Sequence, residues 1–172
     1  LHSFPTRRSS DLYPAVLETY DKVTKDIWGN PSSLHKMGDR SHQLLEASRK
    51  QIASLLNVKP HEIFFTSSGS ESDNWAIKGT ALAKKEFGNH IITSSVEHAA
   101  VSNSVRALED LGFRVTVLPV DKNGQVDPDD LKAALDKETI LVSIMGVNNE
   151  IGTIQPIKEI SKVLEDYPNV TF

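Results

Sequence analysis

The 172 residues include no cysteine, which removes disulfide frameworks and thiolate metal sites from consideration. The six histidines are scattered, and none stands in an HExxH or other ligand spacing. No apolar run approaches the roughly 20 residues that span a bilayer. The net charge of −4, with both signs mixed along the chain, offers no electrostatic footprint for nucleic acid or for an anionic membrane surface. Internal repeats, low-complexity tracts and signs of a second domain are absent too. What is present is an ordinary globular composition, 38% hydrophobic and 24% charged, at a length that supports one domain with a real core. The lack of cysteine fits a reducing compartment without requiring one.

The chain is organised around residues 63–72. Ile63, Phe64 and Phe65 are β-branched and aromatic, the composition of a short buried strand. Five hydroxyl side chains then follow within seven residues, from Thr66 to Ser72. Ser68 and Glu71 have capping-box spacing, so a helix is predicted to start near Gly69–Ser70. A helix start exposes backbone N–H groups and roughly half a positive charge, a setting suited to phosphate. Gly69 lets the backbone approach a ligand, and Ser67 and Ser70 offer hydroxyl donors. Two readings stand on these residues alone: a capped strand-to-helix turn, and an anion cradle. No Gly-Lys-[Ser/Thr] follows, so the turn is no P-loop, and a single glycine makes no dinucleotide fingerprint.

Before this stretch, apolar spacing predicts helices over 13–27 and 38–56, separated by the loop Gly29-Asn30-Pro31-Ser32-Ser33 with His35 just beyond. His35 by itself reads as a surface or loop-packing histidine. After it come a helix over 71–87 with Gly88 at its C′ position, a strand at 90–94, and a helix stopped by Gly112. A strand at 113–119, a turn at 121–124, a short helix at 127–135 and an apolar strand at 139–145 follow. A loop at 146–152, a helix at 157–164 and the start of another strand at 170–172 complete the pattern. Strand and helix alternate four times, which predicts an α/β fold: a mostly parallel sheet with helices on both faces. Residues 1–12 have no periodicity and are set apart as an unrelated or artefactual segment, a flexible native terminus being the alternative.

In such sheets ligands bind outside the carboxyl ends of the strands. Three predicted ends are polar: Thr66–Ser72, Ser94–His98 and Val147–Gly152. They supply an anion cradle, an imidazole and a carboxamide pair, a set able to hold a planar phosphorylated group. Taken singly, His98 reads as a loop histidine and Asn148 and Asn149 as turn residues. Glu97 and Glu150 are candidate acid/base groups, with a first-turn cap and a solvated loop carboxylate as the plainer readings.

The run Thr66-Ser67-Ser68-Gly69-Ser70-Glu71-Ser72-Asp73-Asn74, then Glu97-His98, then Asn148-Asn149-Glu150-Ile151-Gly152, in this order and spacing, resembles the cysteine desulfurases. These are fold type I pyridoxal 5′-phosphate enzymes of the class V aminotransferase group. The loop from Gly29 to Ser33, with His35, is similar to one that family has upstream, and the resemblance covers residues 13–172. It implies that Gly69 and Ser70 hold the cofactor phosphate, many relatives having threonine at the second of these. It implies that His98 stacks on the pyridine ring and assists proton transfer, and that Asn149 bonds the ring's 3′-oxygen near the substrate carboxylate. The implied activity removes sulfur from L-cysteine, giving L-alanine and an enzyme persulfide that serves iron–sulfur cluster assembly or tRNA thiolation. The implied partners are a second copy of the chain in a homodimer and a sulfur-acceptor protein, with no direct nucleic-acid or membrane partner.

Departures accompany the resemblance. The family's Ala-Thr-Thr motif is not found before Tyr13. The family's aspartate for the pyridine nitrogen, its Schiff-base lysine, its cysteine nucleophile and its small domain all follow the position matched by Phe172. Residues 13–172 are therefore expected to be the N-terminal part of the cofactor-binding large domain, and inactive by themselves. The alternatives are a selenocysteine lyase or another class V aminotransferase, and a non-catalytic relative that binds a phosphate ligand or a partner.

Overall fold

A computed structural model describes residues 13–172, so the N-terminal segment set apart above lies outside the described residues. The chain divides into two compact units, one ending at Phe65 and the other running Thr66–Phe172.

The first unit holds two helices, α1 (Pro14–Asp26) and α2 (Lys36–Leu56). Pro14 opens α1, where its missing N–H is no loss. The face carrying Val16, Leu17 and Tyr20 is exposed. The α2 helix ends on Asn57, whose left-handed φ of 54° lets its N–H reach back to Ala53 and Ser54. The Gly29–Ser33 loop is pressed onto the start of α2: a Cβ on Gly38 would lie 2.3 Å from the Ser33 carbonyl oxygen. His35 caps α2, its Nδ1 accepting from the Gly38 N–H at 3.2 Å, so the loop-packing reading of this histidine holds.

Residues 63–65 correct an expectation, because they form no strand. A 3-10 turn, Pro60–Glu62, leads into them. The Arg49 guanidinium then takes the Ile63 carbonyl and lies 4.9 Å from the Phe65 ring centroid. The segment is thus held to α2 by side chains rather than by a ladder, and Phe64 and Phe65 are exposed rather than buried.

The second unit is the α/β body. Its elements are α3 (Gly69–Ala83), β1 (His90–Ser94), α4 (Ala99–Glu109), β2 (Arg114–Leu118), α5 (Pro128–Ala134), β3 (Thr139–Ser143) and α6 (Ile157–Leu164). The three strands are parallel in the order β2-β1-β3. Thr171 adds one parallel bridge beyond β3, where the sequence predicts another strand to begin. Both faces of the sheet are covered. Ile91, Phe113 and Leu141 pack with Ile77 and Ala81 of α3 and Val105 and Leu108 of α4. On the other face, Ile92, Leu118 and Val142 pack with Leu131 of α5 and Ile160 of α6. A register shift pairs His90 with Thr139 but Ile91 with Leu141, so Ile140 is an inserted residue and joins Leu141 in the same cluster.

The α3 helix ends earlier than its spacing predicts. Residues 84–87 are turns, and Gly88 is no C′ residue. Gly88 serves a close approach: a Cβ there would lie 2.3 Å from the Glu138 carbonyl oxygen. Lys84 and Lys85 donate to the Asn169 and Leu111 carbonyls, at 2.6 and 3.3 Å. Leu111 lies just before β2 and Asn169 just before the Thr171 bridge, so the C-terminus of α3 sits at the amino edge of the sheet. A helix of 15 residues, roughly 22 Å long, then carries its N-terminus toward the carboxyl edge. Among the described residues, no helix is long and apolar enough to cross a membrane.

Candidate functional site

The hydroxyls between Thr66 and Ser72 are not equivalent. Ser68 caps α3, its Oγ accepting from the Glu71 N–H at 3.3 Å. Glu71 does not close a capping box on Ser68. Its Oε2 accepts from both the Ser67 hydroxyl and the Ser67 N–H, each at 2.6 Å, and these two bonds hold the carboxyl below its ordinary range. The Thr66 and Ser72 hydroxyls lie 2.6 Å apart, one donating to the other, and the one that accepts is free to donate to the Ser68 carbonyl, which lies 3.1 Å from Thr66 and 3.3 Å from Ser72. Ser67 is therefore not the free donor that its position suggests. Among the described residues, the Ser70 hydroxyl and the Gly69 and Ser70 N–H groups have no hydrogen-bond partner. A Cβ at Gly69 would meet nothing within 4 Å. Three unpaired donors around open space at the start of a long helix fit a phosphate.

His98 caps α4. Its Nδ1 accepts from the Ala100 N–H at 3.1 Å, which in the neutral ring assigns the proton to Nε2. The side chain is exposed, at the carboxyl end of β1. Asn149 lies in the loop after β3, the strand next to β1. It too is exposed, and its carboxamide makes no hydrogen bond among the described residues. Its neighbour Asn148 is the turn-former: 8% exposed, with Oδ1 accepting from the Glu150 and Ile151 N–H groups at 2.9 and 3.0 Å. Gly152, at φ 74°, closes the turn with its N–H on the Asn148 carbonyl.

Glu97 is no first-turn cap, since it stands before His98 and points away from α4. Its Oε1 accepts from the Ser94 hydroxyl at 2.6 Å and from the Met145 N–H at 2.8 Å. Burial pushes the carboxyl up against these two bonds, and the charge of Asp73 adds to the rise. His98 and Asn149 thus lie on the loops that leave the carboxyl ends of the neighbouring strands β1 and β3, and Gly69 and Ser70 open the helix whose N-terminus lies toward that edge. The roles of Glu97 and Asn148 in tying the loops were not apparent from sequence. The two-residue step from Asn148 to the Glu150 N–H is the one local signal for either.

A separate groove of about 500 Å³ lies between α5 and α6, lined by Asp127, Asp129, Lys132, Glu159, Lys162 and Tyr167 among others. It includes none of the three loops, and its charges are of both signs.

A "NifS/IcsS protein homolog" of Lactobacillus delbrueckii subsp. bulgaricus is 69% identical over 169 residues, covering 98% of this chain and 44% of its own length. A "Cysteine desulfurase IscS" of Dictyoglomus turgidum is 52% identical over 159 residues, covering 92% of this chain and 40% of its own length. The chain thus spans under half the length of these curated relatives. Among solved structures, one described as "SspA in complex with cysteine" superposes with a TM-score of 0.85 at 37% identity, covering 94% of this chain and 46% of that one. The family described as "Aminotransferase class-V" matches residues 7–172, and this chain belongs to it.

Proposed function

We propose that the protein is a pyridoxal 5′-phosphate-dependent cysteine desulfurase, taking sulfur from L-cysteine and releasing L-alanine. The observation that carries this is a set of polar groups left open to a ligand: the Gly69 and Ser70 N–H groups, the Ser70 hydroxyl, the exposed His98 ring with only Nδ1 bonded, and the unbonded Asn149 carboxamide. The names of the relatives, and the cysteine complex of one solved neighbour, point the same way. A homodimer, a sulfur-acceptor protein and a cytoplasmic setting belong to the same proposal.

Bound at this edge, the cofactor supplies an electron sink for the charge left on the substrate carbon. Gly69 and Ser70 would hold its phosphate with their two N–H groups and the Ser70 hydroxyl, which would fix its position. His98, its plane set by the Ala100 N–H on Nδ1, would lie against the cofactor ring and present a proton at Nε2. To take up a second proton on Nδ1, it must first release Ala100. Asn149 would donate or accept at the ring's oxygen, with nothing in its own loop competing for the carboxamide.

The product of the uninterrupted reading frame, incubated with pyridoxal phosphate and L-cysteine, should release alanine and sulfide in the presence of a thiol. Failure to bind the cofactor, or to form alanine, overturns the proposal. The 172 residues alone contain no cysteine to carry a persulfide. In the same assay they are expected to release neither product, and alanine above a no-protein control would contradict this.

Hydroxyl partners separate two serines that look alike in sequence. Ser70→Ala removes a free donor to a charged group, so affinity for pyridoxal phosphate should fall by about tenfold or more. Ser67→Ala removes a hydroxyl already bonded to Glu71 and should change affinity by less than about threefold. Spectroscopic titration of both variants checks this; a larger effect at Ser67 than at Ser70 would count against the phosphate site.

A further inference from the structure

We propose that Glu97 and Asn148 are positioning residues that hold the His98 loop and the Asn149 loop in one fixed register. The inference rests on the proposed cofactor site and adds to it two residues that need not touch the cofactor.

The β1–β3 ladder ends at the pair Thr93 and Ser143, where the Thr93 hydroxyl also donates to the Ser143 carbonyl at 3.0 Å. Beyond that pair the backbones part, and side chains carry the join onward. The Glu97 Oε1 binds the last residue of β1, through the Ser94 hydroxyl, and the segment just after β3, through the Met145 N–H. One step further, Asn148 Nδ2 donates to the Val96 carbonyl at 3.1 Å, while its Oδ1 gathers the Glu150 and Ile151 N–H groups. Each joining residue is the immediate chain neighbour of a site residue: Glu97 of His98, and Asn148 of Asn149. The backbones that carry the imidazole and the carboxamide are therefore tied to each other while both joins hold. Asn148 is buried, so its hydrogen bonds have no water to replace them. The half-buried Glu97 carboxyl is kept where burial disfavours its charge, which sets it apart from a solvated loop carboxylate. Reacting groups held by such joins lose rate steeply when displaced by as little as about 1 Å.

The test uses the full-frame protein with pyridoxal phosphate bound. The variants are Glu97→Ala, Glu97→Gln and Asn148→Asp, beside His98→Ala and Asn149→Ala. Cofactor absorption maximum, cofactor affinity, and kcat and KM for L-cysteine are read for each. Gln keeps an oxygen able to accept from Ser94 and Met145, so Glu97→Gln should stay within about threefold of the parent kcat. Glu97→Ala should lose about 30-fold or more in kcat, with little change in KM, and should move the absorption maximum in the same direction as Asn149→Ala. Asn148→Asp keeps the turn acceptor but removes the donor to Val96, and should resemble Glu97→Ala; it carries the test if the alanine variant does not fold.

Two outcomes overturn the positioning role while leaving the site intact. One is Glu97→Ala and Asn148→Asp matching the parent while His98→Ala and Asn149→Ala alter spectrum and rate. The other is Glu97→Gln as impaired as Glu97→Ala, which would assign the effect to the carboxyl proton. If His98→Ala and Asn149→Ala themselves leave spectrum and rate unchanged, the cofactor site fails and the positioning role falls with it.

Discussion

Replacing His98 with alanine in the full-frame protein is expected to lower kcat for alanine formation by about 10²- to 10⁴-fold, the usual loss when a positioned proton-handling side chain is removed. Two physical effects are mixed in that substitution. The imidazole caps α4 through the Ala100 N–H, so its loss also destabilises the helix start by about 1 kcal/mol. Asn is among the strongest N-cap residues and carries no titratable ring. His98→Asn should therefore restore the melting temperature to near the parent value while activity stays as low as in the alanine variant. Steady-state kinetics and thermal melts on the pair separate the roles. An asparagine variant with activity near the parent would reduce His98 to a helix cap and remove it from the chemistry.

His98 and His35 share a role that their sequence contexts do not show. Both cap helices through Nδ1, and both are exposed. Apolar periodicity placed β1 at 90–94 and α6 at 157–164, the bounds observed, because burial on both sheet faces or along one helix stripe is written in local spacing. It misplaced 63–65, where strand composition is present but the Ile63 carbonyl is taken by Arg49, fourteen residues earlier in the chain. A strand exists only through its ladder, and ladder partners are distant in sequence. The same reason hid Glu97 and Asn148. Their decisive bonds run to Met145 and Val96, 48 and 52 positions away, and no local rule marks either pairing. Likewise, five neighbouring hydroxyls are interchangeable on paper, and only geometry shows that Ser67 is bonded inward while Ser70 is not.

At the opposite, amino edge of the sheet, His90→Ala is expected to cost about 3 kcal/mol of stability, the scale of a large-to-small change in a core. The His90 side chain is fully buried, and it joins all three strands. Its Nδ1 lies 2.8 Å from the Thr139 hydroxyl on β3, and its Nε2 lies 2.8 Å from the Thr116 hydroxyl on β2. Alanine leaves a cavity and removes a partner from each threonine. The charged groups facing the ring are Asp136, at 3.7 Å from Nδ1, and Arg114, which pairs with Asp136. Burial disfavours the imidazolium most, Arg114 opposes it further, and Asp136 only partly offsets them, so the His90 pKa falls below its ordinary 6.5. The unfolded chain therefore binds this proton at higher pH than the folded one does. The stabilisation is complete above about pH 6.5 and is lost as pH falls through the unfolded value toward the folded one. His90→Asn keeps a polar side chain without a titrating ring, and should flatten the fall in stability between about pH 7 and pH 5. Denaturant melts across that range check both substitutions. An unchanged acid-side slope in His90→Asn would mean that His90 is not what titrates there. An alanine variant as stable as the parent would mean that the three strands do not depend on it.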